Sequence, residues 1–206
     1  MSVKKDNEMW QSKTILILNS GTTRRRFIFE TAKRLGLKTV VLNDRTNWGS
    51  RLADDFIVAD NYNHAKVLNL LRAYLPKHKI DGAVTFEEDD VELLAKVCHE
   101  FNFIGNSSQT AAWTRNKYAM RQQLASAQIP QPRFVLVTNQ TELQEAVKKI
   151  GVPAVIKPVG GTSGFFVVQV NSEEEAKEKF EYVRKNATPK FDPIFNYNQY
   201  QFLYES

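Results

Sequence analysis

A glycine-rich segment that follows a lysine is the part of the sequence best suited to chemistry. Such a loop can fold its backbone N–H groups around phosphate oxygens, and its hydroxyl groups add further donors. It is not a Walker loop, because no Lys-Ser or Lys-Thr pair follows its last glycine. The alternative is a mobile hairpin loop without a ligand. The members of the segment are Gly160, Gly161, Thr162, Ser163 and Gly164.

Lys157 strengthens the phosphate interpretation. It ends the apolar run Pro153–Ile156, which predicts a buried strand where an unpaired lysine would be costly. If side chains alternate along that strand, its ammonium group faces the side where the loop folds. A point charge beside backbone donors suits a triphosphate. The alternative is an edge-strand lysine that points into water.

Strands alternate with helical patterns in the first half of the chain. This order implies right-handed crossovers and a parallel sheet, so residues 13 to about 106 are predicted to be Rossmann-like. The first turn, residues 19–24, has one glycine where a dinucleotide fingerprint needs three, which counts against NAD even though Asp44 follows the second strand. The predicted strands are residues 14–18, 38–42, 56–59 and 80–86. Thr22 or Thr23 is the predicted cap of the first helix, and two more helices are predicted over residues 64–75 and after Phe86.

The pattern changes after residue 108. Thr141 and Gln144 form a predicted capping box, and Ser172 is the predicted cap of a helix that reaches about Lys185. The predicted helices are residues 111–127, 141–150 and 172–185, the predicted strands are residues 134–137, 152–157, 165–170 and 201–205, and residues 186–198 are a predicted loop.

The composition is that of a globular protein. Of the 206 residues, 42% are hydrophobic and 25% are charged, enough for one large or two small domains. The longest apolar runs have four residues and the leader, residues 1–12, is polar, so we expect neither a transmembrane helix nor a signal peptide. The single cysteine, Cys98, cannot form an internal disulfide, and a zinc site is not expected. We expect a cytoplasmic protein.

The net charge of +5 favours an anionic partner without identifying it. The densest basic run, residues 24–26, is most simply a solvated helix face. Because the first turn of a helix disfavours cations, a bound anion or a nearby carboxylate is the alternative. We expect neither nucleic acid nor a membrane as a partner.

Several motifs together resemble the ATP-grasp superfamily. Lys117 and Lys157 lie 40 positions apart, which fits that family's spacing. The resemblance runs from Lys13 to Ser206. The motifs that carry it are residues 114–118 (Thr-Arg-Asn-Lys-Tyr), 129–132 (Ile-Pro-Gln-Pro), 153–158 (Pro-Ala-Val-Ile-Lys-Pro), the loop 160–164 and the segment 202–205 (Phe-Leu-Tyr-Glu).

The resemblance implies an α/β fold that starts after the polar leader, residues 1–12. A Rossmann-like pre-ATP-grasp domain would follow over residues 13–108, and the small α+β lobe of an ATP-grasp domain over residues 109–206, with the large lobe missing. By the same resemblance, Lys117 and Lys157 contact the phosphates of ATP and the glycine loop closes over them. Glu205 would be the hinge acid beside the adenine.

Residues 81–88 and 104–107 look like those of the carboxylate–amine ligases, including those that join amino acids. The implied reaction forms an acyl phosphate from a carboxylate and ATP with Mg²⁺, and an amine, such as that of an amino acid, then displaces phosphate. Biotin carboxylase and the carbamoyl phosphate synthetases share the plan and are the alternative enzymes. The implied partners are ATP, a small carboxylate and an amine, and a homo-oligomer is compatible with the plan.

The family's magnesium-binding Glu and Asn residues follow the hinge, so the resemblance implies no metal ligand and no catalytic residue in this chain. Glu173–Glu175, Glu178 and Glu181 are predicted to lie on a solvated helix face and are poor substitutes. We therefore expect a truncated piece of a longer ligase, which alone binds ATP weakly if at all and catalyses nothing. The alternative is a non-catalytic nucleotide-binding or interaction module.

Overall fold

The computed structural model describes residues 10–197 and 200–206. The chain divides between Ala111 and Ala112 into two compact units. Within the described ranges, no helix combines the length and the apolar composition needed to cross a bilayer.

The first unit is built on a parallel sheet. Its strands are β1 (Thr14–Leu18), β2 (Lys38–Asn43), β3 (Asp55–Val58) and β4 (Gly82–Thr85), and their order is β3-β2-β1-β4. Helix α1 (Arg26–Arg34) packs on one face, while α2 (His64–Tyr74) and α3 (Val91–Glu100) pack on the other. The predicted Rossmann-like arrangement is confirmed. One strand is shorter than predicted, because residues 80–81 and 86 lie outside β4.

The start of α1 differs from the prediction. A short 3-10 helix, Thr23–Arg25, precedes it, and Thr22 stands at the cap position without a side-chain hydrogen bond to the helix. The predicted threonine cap is therefore wrong. Two arginines of the basic run 24–26 have nearby carboxylates, as one of its two interpretations expects. Arg25 pairs with Glu87 at 2.5 Å, and Arg26 pairs with Glu30 at 2.9 Å.

The second unit is built on an antiparallel sheet whose strands are β5 (Phe134–Val137), β6 (Ala154–Pro158), β7 (Val168–Val170) and β8 (Phe202–Glu205), in the order β5-β8-β6-β7. Helix α4 (Ser108–Arg115) spans the division between the units, and the further helices are α5 (Lys117–Ser126), α6 (Gln140–Ile150) and α7 (Glu173–Asn186). Its core lies on one face, where helices α6 and α7 cover the sheet. Strand β8 is central, pairing with both β5 and β6, and Tyr204 on it is fully buried and donates a hydrogen bond to the Gly151 carbonyl at 2.9 Å.

Three predictions for this unit are wrong in detail. The single helix 111–127 is two helices, because Asn116 is extended and caps the second one. The cap of α6 is Asn139 rather than Thr141, and its side chain accepts from the Glu142 N–H. The strand predicted over 165–170 begins only at Val168, because residues 163–166 form a turn in which Phe166 has a positive φ of 58°.

Other predictions hold. Ser172 caps α7 and accepts a hydrogen bond from the Glu175 N–H. The predicted last strand is β8, one residue shorter at its start. The predicted loop 186–198 contains a 3-10 helix, Pro193–Tyr197, and residues 198–199 lie outside the described part of the chain.

Candidate functional site

Lys117 is placed by the break between α4 and α5. The Asn116 side chain accepts a hydrogen bond from the Ala119 N–H at 2.8 Å, which makes Lys117 the first residue of α5. The Lys117 N–H donates to the Val159 carbonyl at 3.0 Å, and its Nζ donates to the Gly161 carbonyl at 3.1 Å. Both ends of this lysine are thus tied to the segment that starts the glycine loop.

Lys157 lies in the interior of the sheet, because β6 is flanked by β7 and β8. Alternation places Ile156 in the core and Lys157 on the opposite face. Only 15% of its side chain is exposed, and its Nζ contacts Oε1 of Glu205. The alternative of an edge-strand lysine in water is therefore wrong.

Glu205 joins Lys157 to Arg121, a residue that none of the sequence motifs indicates. The Glu205 carboxylate also accepts two hydrogen bonds from Arg121: Nε at 3.0 Å to Oε2 and Nη2 at 3.3 Å to Oε1. Glu205 is 7% exposed, so this is a nearly buried carboxylate between two cations. The two cations exceed the one carboxylate by one positive charge.

Helix periodicity connects the two groups of contacts. Lys117 and Arg121 are four residues apart on α5 and therefore lie on one helix face, one turn apart. The contacts consequently run from the glycine loop to Lys117, along α5 to Arg121, and on to Glu205 and Lys157. The structure thus brings the predicted lysines, Glu205 and the loop into one region of the second unit. The four-residue spacing to Lys117 was the signal that could have found Arg121.

The glycine loop leaves β6 and packs near an aromatic cluster. Gly161 has a φ of +134°, and a Cβ there would lie 3.2 Å from Cε1 of Phe195, so a larger residue would be strained as well as crowded. The Phe165 N–H donates to the Thr162 carbonyl at 3.1 Å. Phe166 packs on Phe195 with ring centroids 5.6 Å apart. Gly164 and Ser163 also have positive φ values, of 72° and 54°.

The aromatic residues beside the glycine loop belong to residues 186–198, which the sequence predicts as a loop. Phe195 is 2% exposed and belongs to the core of the second unit. Phe191 packs on Phe166 with ring centroids 4.8 Å apart. The aromatic content of this segment was visible in the sequence, but its contact with the turn 163–166 depends on the tertiary fold.

The described residues do not fit a magnesium site. Within residues 10–197 and 200–206, no three His, Cys, Asp or Glu side chains come together in a way that could hold a metal ion. The acidic residues of α7 serve other contacts, since Glu175 pairs with Lys179 at 2.7 Å and Glu181 with Arg184 at 3.1 Å.

Family models match both units. The model of the ATP-grasp N-terminal domain matches residues 29–103, and the model of the ATP-grasp domain matches residues 122–196. Together these matches span well over half of the chain. The chain belongs to the ATP-grasp superfamily. The predicted fold, a Rossmann-like domain followed by the first ATP-grasp lobe, is confirmed.

Similar proteins agree on this architecture. The formate-dependent phosphoribosylglycinamide formyltransferase of Methanococcus vannielii is 30% identical over 182 residues, 86% of this chain and 45% of its own length. An L-amino acid ligase structure from Bacillus licheniformis gives a TM-score of 0.72 at 24% identity, covering 95% of this chain and 46% of that one. The structure of N5-carboxyaminoimidazole synthetase from Staphylococcus aureus complexed with ADP gives a TM-score of 0.74 at 22% identity. The match covers 95% of this chain and 48% of that one. The chain spans about half the length of the relatives it matches.

Proposed function

We propose that this chain is the nucleotide-binding part of an ATP-dependent carboxylate–amine ligase. The observation that carries the proposal is the contact of Lys117 with the glycine loop in an ATP-grasp chain. Three residues before that loop, Lys157 shares Glu205 with Arg121 of the helix that Lys117 begins. Cations and backbone N–H groups at one place suit a polyphosphate, because they hold its negative charge without a water shell.

In this proposal each residue has a defined task. The ammonium groups of Lys117 and Lys157 bind phosphate oxygens as point charges. The backbone of Gly160–Gly164, with the hydroxyls of Thr162 and Ser163, closes over the same oxygens, and Glu205 lies beside the adenine. Because Lys117 Nζ now contacts the Gly161 carbonyl, phosphate binding requires this contact to be exchanged.

The proposed reaction is phosphoryl transfer from ATP to a carboxylate, followed by displacement of phosphate by an amine. The γ-phosphorus–oxygen bond to ADP breaks as a carboxylate oxygen bonds to phosphorus. The amine nitrogen then bonds to the acyl carbon, phosphate leaves, and the amine loses a proton. The residues described here would contribute nucleotide binding and orientation, and Mg²⁺, which is generic for such ligases, is assigned no ligand among them.

The carboxylate and the amine are proposed only as chemical classes. The sequence favours an amino acid, whereas the Methanococcus vannielii relative is named for formate and phosphoribosylglycinamide. We therefore propose a small carboxylate and a primary amine, with formate and free amino acids as the compounds to test first. A cytoplasmic location belongs to the same proposal.

Turnover tests the proposal in the complete polypeptide that contains residues 1–206. ADP release is measured with ATP, Mg²⁺ and a grid of carboxylates against amines. We expect ADP release that requires one carboxylate and rises when its amine is added, and we expect Lys157→Ala to abolish it. ADP release that ignores every carboxylate, or nucleotide binding without turnover, would contradict the ligase and favour a binding module.

A further inference from the structure

Arg121 shares its acidic partner with Lys157. Lys157 contacts one oxygen of Glu205, whereas Arg121 reaches both oxygens through Nε and Nη2. The Arg121 side chain is 15% exposed, as is that of Lys157. The carboxylate is thus held by two cations, and the arginine makes the more extensive contact.

This sharing affects how readily Lys157 can turn to a ligand. When an ammonium group leaves a nearly buried carboxylate, the carboxylate becomes an unpaired charge unless another cation remains beside it. An unpaired buried charge is costly. With Arg121 in place, Glu205 keeps two hydrogen bonds after Lys157 departs. Without Arg121, the carboxylate would retain Lys157 as its partner and compete with phosphate for it.

We propose that Arg121 is a positioning residue that holds Glu205 so that Lys157 is released to bind phosphate. This inference rests on the proposed nucleotide site and adds a residue to it. Arg121 acts through Glu205 and touches neither the phosphates nor the reacting atoms. Its main-chain carbonyl accepts from Gln131 Nε2 at 2.8 Å, which holds the helix at this point independently of the side chain.

A purely structural role for Arg121 makes different predictions. If Arg121 only stabilised the packing of α5 on β8, its loss would weaken the binding of every ligand of this site. If it frees Lys157, its loss weakens polyphosphate binding and spares adenosine, because Lys157 then keeps Glu205 in its place beside the adenine. Removing the negative charge of Glu205 should then reverse the loss, because Lys157 no longer has a carboxylate to prefer.

The test measures binding of inorganic tripolyphosphate and of adenosine, separately, to the 206-residue chain by NMR titration, which detects weak binding. The variants are Arg121→Gln, Glu205→Gln and the double variant. Arg184→Gln is the matched control, since that arginine also pairs with a glutamate but lies on α7. Amide spectra of each variant verify that it is folded.

We expect Arg121→Gln to weaken tripolyphosphate binding about tenfold, which corresponds to about 1.4 kcal/mol. Its adenosine affinity should stay within about twofold of the wild type. Glu205→Gln and the double variant should bind tripolyphosphate at least as tightly as the wild type, and Arg184→Gln should match it. If Arg121→Gln does not fold, tighter tripolyphosphate binding by Glu205→Gln still supports the inference, and weaker binding overturns it.

The two proposals fail in different ways. A wild-type chain that binds neither probe contradicts the nucleotide site and, with it, this inference. A wild-type chain that binds tripolyphosphate while Arg121→Gln binds it equally well overturns the role of Arg121 alone. A loss that the double variant does not restore also overturns it, since release of Lys157 would then not be the cause.

Discussion

At the scale of single residues, the unusual feature is a nearly buried carboxylate between two cations. Burial of a lysine is costly, and Glu205 offsets that cost for Lys157. The extra positive charge that Arg121 brings is better placed beside an anion than beside apolar groups. A phosphate bound by Lys157 would be attracted by this extra positive charge. We therefore expect phosphate affinity to depend on Arg121 and Glu205 as well as on Lys157.

Replacing Lys157 with alanine should separate binding from stability. Glu205 keeps Arg121 as a partner, so we expect little change in the free energy of unfolding. Nucleotide affinity should fall by about tenfold or more, because a direct phosphate contact is lost. Urea unfolding and an ADP titration measure the two effects. Lys148→Ala, an exposed lysine on α6, is the control, and equal affinity losses in both variants would contradict the assignment.

The sequence indicates Lys117 and Lys157 but does not predict how their side chains are arranged. The apolar run before Lys157 predicts the strand that the structure shows, and burial alternates along that strand. That the ammonium group faces the side where the glycine loop folds stays a prediction. The sequence does not indicate Arg121, because an arginine on a helix usually lies in solvent. Its partner is 84 positions away in sequence, and only the packing of α5 beside β8 brings the two together.

At the scale of elements, helix caps decide where the site residues lie. Asn116 and Asn139 are both N-caps whose side chains accept a backbone N–H three residues on, from Ala119 and Glu142. Asn116 breaks what the sequence predicted as one long helix. That break puts Lys117 in the first turn of α5, where its own N–H is available to the Val159 carbonyl.

The two asparagines form a matched pair for mutation. Each change to alanine should cost about 1 kcal/mol of stability, because an N-cap hydrogen bond is lost. Only Asn116→Ala should also weaken nucleotide binding, since only this cap positions Lys117. Urea unfolding and an ADP titration of both variants measure this. Equal nucleotide affinities for the two variants would count against the role given to Lys117.

Glu142 makes the stability of the second unit depend on pH. The hydrogen bond from the Thr138 N–H, followed by that from its hydroxyl, lowers the pKa of this carboxyl below its usual 4.5, and partial burial opposes the shift. A lowered pKa in the folded state adds stability above pH 4.5 that is lost as the pH falls through the lowered pKa.

We therefore expect Glu142→Gln to flatten the acid side of the stability profile. The variant should be less stable than the wild type near neutral pH, and the difference should shrink on acidification. Thermal melts between about pH 7 and pH 3 measure it. Glu145→Gln, an exposed change on the same helix, is the control, and a constant difference at all pH values would refute the contribution of Glu142.

The exact start of a helix could not be predicted where two caps are possible. Thr141 with Gln144 and Asn139 with Glu142 are both acceptable start signals, and local sequence does not choose between them. The structure chooses the second pair, which starts α6 at Gln140 and buries Leu143, Ala146 and Ile150. Similarly, Phe165 and Phe166 favour a strand locally, but contacts of Phe166 with Phe191 and Phe195 stabilise a turn.

At the scale of the whole molecule, each unit has its own core. That of the first lies between strands β1–β4 and helices α1–α3, and that of the second includes Phe202 and Tyr204. The alternation of strands and helices was enough to predict the first sheet. The second sheet joins strands distant in sequence, so its order β5-β8-β6-β7 was not accessible from local pattern.

The central position of β8 makes the last residues essential to the second unit. Phe202, Leu203 and Tyr204 are fully buried, so deletion of residues 201–206 should unfold this unit and leave the first one folded. Amide NMR spectra measure this by the loss of dispersed signals from residues 112–200 alone. Deletion of Ser206 alone is the control, since this exposed residue loses two hydrogen bonds with the Arg133 backbone but leaves β8 complete. Retained dispersion in the second unit would contradict the central role of β8.

Nucleotide binding at the glycine loop is the claim on which this account depends. Titration of the ¹⁵N-labelled chain with ADP, followed by the same titration of Lys157→Ala, tests it most directly. We predict saturable shifts of the amides of Lys117 and of residues 160–164 in the wild type, and their loss in the variant. Saturable shifts confined to the first unit, or none at the loop at millimolar ADP, would contradict it.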